Sequence, residues 1–295
     1  MTDAAVLLEG GLVIDGSGGP SWPGDVLLLG DRIERLGAGL RDRLPPGLAR
    51  DAVQVIDCRG LAIAPGFIDA HTHDDAIVLR EPAYLAKLSQ GITTVVTGNC
   101  GISLAPFRTD EAKPPLTLLG AASFRYPTMA AYRAAVSDAR PALNVAALVG
   151  HTTLRFAAMS DLTHAASADE RARMAALLDA CMGEGAHGLS SGLFYEEAFA
   201  APGDEVTELA RVVARHGGVY ATHLRSEMQA ILEAMHEAGE SAFDAGVPLV
   251  ISHHKCAGPT QWGRTRETLP LIESLAARQR VAMDVYPYTA GSTVL

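Results

Sequence analysis

Residues 63–75 read IAPGFIDAHTHDD. The run opens apolar, at Ile63, Ala64, Phe67 and Ile68, and ends in a cluster of metal-ligand residue types. Asp69, His71 and His73 are two apart, and residues two apart in an extended strand point to one face. The pattern predicts a strand that delivers two imidazoles side by side at its end, as a metal site requires. An isolated HxH is more often a strand end with two solvated histidines. The preceding apolar run and further candidate ligands downstream reverse those odds here.

On the N-terminal side, residues 5–62 read as short Val-, Leu- and Ile-rich strands punctuated by glycine and proline, such as AVLLEGGLVID and DVLLLGDRIERLG. This texture predicts a small β-sheet unit over residues 1–61, a partial small β-sandwich domain with a structural role. On the C-terminal side, apolar strand candidates recur at 62–70, 92–97, 144–149, 188–193, 219–222, 248–252 and 281–285. Helical patterns fill most of the gaps, at 168–184, 205–216, 228–245 and 266–280. Alternating strand and helix implies a parallel sheet, either doubly wound or closed as a (β/α)8 barrel.

Polar residue types gather just after each strand: His71 and His73, Asn99 and Cys100, His151, Ser190 with Ser191 and Tyr195, His223 and Arg225, His253 to Lys255, then Tyr286 and Tyr288. Catalytic groups of a barrel come from the ends of several strands, whereas an open sheet uses mainly its switch point. The even spread favours an α/β fold of the TIM-like barrel type over residues 62–295. Only seven strands can be counted, so the expectation is an incomplete barrel that lacks the eighth.

Of the 295 residues, 48% are hydrophobic and 20% charged, a profile with ample core. Apolar runs fall far short of a membrane span. Asp3 stands where a signal peptide carries positive charge, which gives the expectation of a cytoplasmic protein. The net charge of −10 argues against nucleic acid and anionic membrane as partners. Cys58, Cys100, Cys181 and Cys256 are scattered without a CxxC pair, so a special one is a ligand or nucleophile rather than half a disulfide.

His71, His73, Cys100, His223 and His253 form the candidate metal constellation, in ligand types that zinc prefers. Each alone has a bland reading: Cys100 as a small buried hydrophobe, His223 as a histidine with one hydrogen bond. Their joint placement after predicted strands carries the argument. His254 adjoins His253 and must point elsewhere if the strand continues, so one of the two is not a ligand. Lys255, Tyr286, Ser292 and Arg225 lie near the same rim, and a lysine with two hydroxyls would suit a substrate carboxylate. GLSSG at 188–192 is not a GxSxG elbow, which disfavours serine hydrolysis.

Taken together, APGFIDAHTH, GITTVVTGNCG, YATHLRSE, ISHHKCAG and DVYPYTAGST resemble the amidohydrolase superfamily, and within it the N-acyl-D-amino-acid deacylases (D-aminoacylases). The resemblance runs from about residue 5 to the end. It implies a tight catalytic Zn2+ on Cys100, His223 and His253, and a second, weaker position at His71 and His73. Lys255, Tyr286 and Ser292 match positions that hold the carboxylate of the N-acyl-D-amino acid. The implied reaction is zinc-dependent hydrolysis of a linear amide to a D-amino acid and a carboxylate. The family's catalytic aspartate, on the eighth strand, has no counterpart, so no catalytic residue is identified and impaired activity is the expectation for this chain. The alternatives are a cyclic-amide hydrolase of the dihydroorotase or hydantoinase kind, or a non-catalytic metal-binding fragment.

Overall fold

A computed structural model describes residues 4–120 and 124–291. The chain divides into two compact units, Met1–Phe67 and Ile68–Leu295.

The first unit is a sheet of β1 (Ala5–Val13), β2 (Trp22–Leu29), β3 (Arg32–Gly37), β4 (Val53–Asp57) and β5 (Ala62–Ile63). Its order is β3-β2-β1-β4, with β5 also paired to β1. Alternating side chains bury Ala5, Leu7, Leu27 and Val53 in one small core, and Val13, Val26, Cys58 and Ile63 in another. Buried Asp25 pins the sheet to its loop, accepting the Gly10 and Leu40 amides at 2.7 and 2.9 Å.

The second unit holds a seven-stranded sheet whose strands neighbour one another in strict chain order. They are β6 (Phe67–Asp69), β7 (Ile92–Thr97), β10 (Asn144–Gly150), β11 (Gly188–Gly192), β12 (Val219–His223), β13 (Leu249–Ile251) and β14 (Val281–Met283). A two-stranded excursion, β8 (Phe107–Arg108) and β9 (Arg125–Tyr126), interrupts the series after β7. The registered pairs from β7 to β14 are all parallel. Among the described residues this is an α/β unit with an open seven-stranded sheet in the strand order of a TIM-like barrel, as the alternation of the sequence implies.

Nine helices are found among the described residues. The short ones are α1 (Ile77–Arg80), α2 (Leu85–Leu88) and α6 (Glu196–Phe199). The longer ones are α3 (Met129–Ala139), α4 (His151–Ala158), α5 (Ala168–Gly183), α7 (Gly203–Arg215), α8 (Ile231–Ala245) and α9 (Thr265–Ala276). Ser167 and Glu170 start α5 as a reciprocal capping box, and Gly246 in the left-handed region ends α8. Apolar faces of the long helices cover the sheet, burying Val149, Leu189, Tyr220, Leu249 and Ile251.

Two local expectations shift. The single strand expected over 62–70 is two: β5 extends the small sheet and β6 opens the large one, and Pro65 and Gly66 stand between them. Proline lacks the N–H a ladder needs, and glycine is the weakest strand former. Helix α4 begins directly at His151, outside the helical patterns read from the sequence. No side chain caps its start, and His151 to Arg155 are all buried, so packing rather than local propensity makes it helical.

Candidate metal centre

The loop after β7 is pressed between its neighbours. Cys100 has a φ of 54° and is flanked by Gly98 and Gly101, both at 77°. A left-handed backbone costs a non-glycine residue roughly 1–2 kcal/mol, so the surroundings must hold Cys100 in place. They do: Ser190 Oγ donates to the Gly98 carbonyl at 2.5 Å and accepts the Gly101 amide at 2.9 Å. The Asp75 carboxylate accepts the Gly98 amide at 3.1 Å, and Asn99 donates to the Val96 carbonyl at 2.9 Å. A Cβ on Gly98 would lie 2.2 Å from the Leu148 carbonyl oxygen, and one on Gly101 2.8 Å from the Gly192 amide. Both positions therefore require glycine. His253 is the other strained ligand candidate, with a φ of 36°.

These constraints aim the Cys100 sulfur at the ends of the other strands. Cys100 Sγ lies 3.2 Å from His71 Nε2 and 3.4 Å from His253 Nε2. His253 Nε2 in turn lies 3.1 Å from His223 Nδ1. Two overlapping donor sets result, His71–His73–Cys100 and Cys100–His223–His253, each with its ligand atoms within 4.8 Å of one another. Cys100 belongs to both. A tetrahedral zinc with nitrogen ligands at ~2.05 Å and sulfur at ~2.3 Å sets its ligands about 3.3–3.6 Å apart. The observed separations fall at or just below that spacing.

The chemistry of the donors agrees with that spacing. Burial, then the neighbouring His71 and His253, pull the His73 pKa down to about 4. Burial likewise takes His223 to about 3, against the opposing pull of Glu227. Both imidazoles are therefore neutral at pH 7, the form that binds metal. Burial, followed by Asp284 and Glu227, pushes the Cys100 thiol well above its ordinary range. His71 Nδ1, His73 Nδ1, His223 Nε2 and Asp284 Oδ2 are buried without a hydrogen-bond partner. With these unpartnered atoms around it, the meeting of His71 Nε2 and His253 Nε2 at the Cys100 sulfur makes a nitrogen- and sulfur-rich donor set of the kind a divalent cation fits.

Two acids border this cluster that sequence reasoning missed. Glu227 accepts from Lys255 Nζ at 2.6 Å, lies 2.9 Å from His253 Nδ1 and 3.9 Å from His223 Nε2. Burial raises its pKa, but His253, His223 and Lys255 outweigh that and hold it at about 2. Asp284 accepts the His253 amide at 2.7 Å and lies 3.4 Å from His71 Nδ1. Asp284 is the first residue after β14, but the strand expected over 281–285 encloses it, so its place at the strand end is not visible in the sequence. Glu227 follows His223 by four residues in a loop, and nothing in its spacing marks it.

Lys255 also contacts His253, at 3.0 Å from Nδ1 and 3.1 Å from the carbonyl oxygen, and its ammonium sits 5.6 Å over the Tyr286 ring. Ser292 lies outside the described residues. The remaining strand-end polar groups turn away. His254 Nε2 meets Thr268 Oγ1 at 2.9 Å. Arg225 pairs with Glu237 at 2.6 Å and donates to the Phe199 and Ala201 carbonyls. Ser191 bonds Tyr220 and Thr222 hydroxyls, and Asp69 and Asp74 both grip Lys87. Phe194 stacks on His223 with ring centres 5.5 Å apart, and Tyr195 packs against the same ring at 5.2 Å.

Comparison with known proteins places this arrangement. The model of the amidohydrolase family matches residues 54–289. The chain belongs to the amidohydrolase family. Within this family its similarity is to the D-aminoacylases. An N-acyl-D-aspartate deacylase of Alcaligenes xylosoxydans xylosoxydans is 49% identical over 99% of this amidohydrolase chain and 57% of its own length. A D-aminoacylase structure, from work on one-metal activation and second-metal attenuation in its binuclear centre, superposes with a TM-score of 0.92. It is 45% identical, covering 99% of this chain and 60% of the other. The N-acyl-D-glutamate deacylase of Bordetella bronchiseptica, complexed with zinc and a phosphonate mimic of the tetrahedral intermediate, gives 0.88 at 39% identity, over 97% and 59% of the two chains. This amidohydrolase chain thus spans 57–60% of the length of these relatives. Among its described residues no helix is long and apolar enough to cross a membrane.

Proposed function

We propose that this chain carries the metal centre of a zinc-dependent N-acyl-D-amino-acid deacylase, a hydrolase of linear amides. The observation that carries the reading is the convergence of imidazoles from three strand ends around the Cys100 sulfur, which a fourth supplies. Cys100, His223 and His253 would hold the tight zinc, and His71 and His73 a second, weaker position. Bound there, zinc supplies a Lewis acid for the amide carbonyl and a water whose pKa falls to about 7.

The protein's own contribution is placement. The strained Cys100 loop and the His253 turn hold their donor atoms before any ligand arrives, so little rearrangement opposes binding. Lys255 lies beside the Tyr286 ring and 3.0 Å from His253 Nδ1, and its ammonium, shared with Glu227 at 2.6 Å, is the cation a substrate carboxylate would meet. Lys255, Tyr286 and Ser292 form the proposed carboxylate site. Phe194 and Tyr195 wall one side of His223. The proposed substrate is a small N-acyl-D-amino acid.

The cyclic-amide alternative calls for a lysine ligand on a middle strand. The end of β11 instead carries Ser190 and Ser191, whose hydroxyls are bonded to the Cys100 loop and to Tyr220 and Thr222. An assay of zinc-loaded protein on N-acetyl-D-methionine, N-acetyl-D-glutamate, their L-isomers and a dihydropyrimidine separates the readings. Weak release of free D-amino acid alone is expected, in line with the impaired activity the sequence implies, and it should vanish with Cys100→Ser. Ring opening of the dihydropyrimidine, or equal cleavage of L-isomers, would refute the proposal.

A further inference from the structure

Two carboxylates stand behind the two histidines that flank Cys100. His253 and His71 both direct Nε2 at the same sulfur, at 3.4 and 3.2 Å. Behind them, His253 Nδ1 lies 2.9 Å from Glu227 Oε1, and His71 Nδ1 lies 3.4 Å from Asp284 Oδ1. Asp284 also fixes the backbone of His253, accepting its amide at 2.7 Å. We propose that Glu227 and Asp284 are positioning residues of the metal centre, each fixing the tautomer and ring orientation of one histidine so that its Nε2 lone pair faces the metal. The inference rests on the metal-centre reading above and extends it to two residues on different elements, the loop after β12 and the end of β14.

The physical basis is the two-sided nature of imidazole. A metal takes the lone pair of one nitrogen only if the other keeps the proton, and an acceptor placed at that second nitrogen secures the arrangement. Glu227 and Asp284 are placed as such acceptors. His71 Nδ1 is buried without a hydrogen-bond partner, and Asp284 Oδ1, 3.4 Å away, is the acceptor placed for its proton.

The competing explanation is that Glu227 merely neutralises Lys255, to which it is bonded at 2.6 Å, while Lys255 Nζ, 3.0 Å from His253 Nδ1, donates to that nitrogen itself. Removing both partners at once separates the two explanations. A neutraliser becomes dispensable once the lysine is gone, whereas an orienting acceptor does not.

The test is cobalt(II) affinity, measured by chelator competition and by the sulfur-to-cobalt charge-transfer absorption. The proteins compared are the unaltered chain, Glu227→Gln, Asp284→Asn and the double variant Glu227→Gln/Lys255→Met. Both single variants are isosteric, and each is expected to bind cobalt roughly 10–100-fold more weakly. The double variant should stay as weak as Glu227→Gln. Affinity and spectrum indistinguishable from the unaltered chain in the single variants, or affinity restored in the double, would overturn the inference alone. An unaltered chain that binds no cobalt would overturn the metal-centre reading and this inference with it. Should one isosteric change prevent folding, the other reads the same quantity by the same criterion.

Discussion

His151, Arg155 and Glu205 show how a buried charge is made tolerable in this core. All three are fully buried. Glu205 Oε1 lies 2.9 Å from His151 Nε2 and 2.6 Å from Arg155 Nη1, and its Oε2 accepts the Ala166 amide at 3.1 Å. Arg155 uses its remaining donors on the Glu197, Leu162 and His164 carbonyls, tying helix α6 and the loop between α4 and α5 to it. Burial raises the Glu205 pKa, but His151 and Arg155 outweigh it and bring the carboxyl from 4.5 to about 2. A carboxyl whose folded pKa is depressed stabilises the fold above its unfolded pKa, and that stability is lost as pH falls through the folded value. For His151, burial outweighs the pull of Glu205 and lowers its pKa, so its contribution also fades as pH falls below 6.5. Glu205→Gln leaves Arg155 buried without its counter-charge, and by the usual cost of breaking a buried pair should lose about 3–5 kcal/mol at neutral pH. Urea unfolding across a pH series should also show a shallower stability loss between pH 4.5 and 2 in the variant. An unchanged slope there would remove Glu205 as the source. Strand-end position alone does not separate such a residue from a ligand: His151 and His223 look alike in the sequence, and only the partners across the fold distinguish them. Asp284 was hidden because the apolar run 281–285 reads as strand on both sides of it, and Glu227 reaches the cluster through a loop whose path the sequence does not specify.

At the scale of elements, the positions that matter most are the glycines around the Cys100 loop. Gly101 combines a left-handed φ with a Cβ position 2.9 Å from Thr152 Oγ1 and 2.8 Å from the Gly192 amide, so alanine must move backbone. Gly101→Ala should cost about 1–3 kcal/mol by strain. It should weaken metal binding as well, because the displaced segment carries Cys100. Thermal unfolding and zinc stoichiometry measured on one preparation check this, and full stoichiometry in a destabilised variant would contradict it. The strands that build the large sheet were readable because continuous apolar runs, bounded by glycine or polar residues, mark strands buried on both faces. Helices α5, α7, α8 and α9 were readable from their period. Helix α4 and the β8–β9 excursion were not, since their conformation comes from tertiary packing. The break within 62–70 escapes the apolar pattern, although Pro65 and Gly66 mark it.

For the large unit as a whole, chain order and sheet order coincide, so each successive strand adds its terminal residue to the same rim. That is how donors 182 positions apart, from His71 to His253, come to share one sulfur. The edges of the sheet, β6 and β14, carry exposed Ile68 and Met283, with exposed Val285 just beyond β14. The sequence pattern supports the sheet and its rim, and the geometry adds that Cys100 lies between two histidine pairs rather than at one end of them. Zinc K-edge absorption of the zinc-loaded chain reads that arrangement directly. One sulfur at about 2.3 Å with nitrogens at about 2.0–2.1 Å is the predicted first coordination shell, and the sulfur should disappear in Cys100→Ser. A shell of oxygen and nitrogen alone in the unaltered protein would contradict the centre built on Cys100.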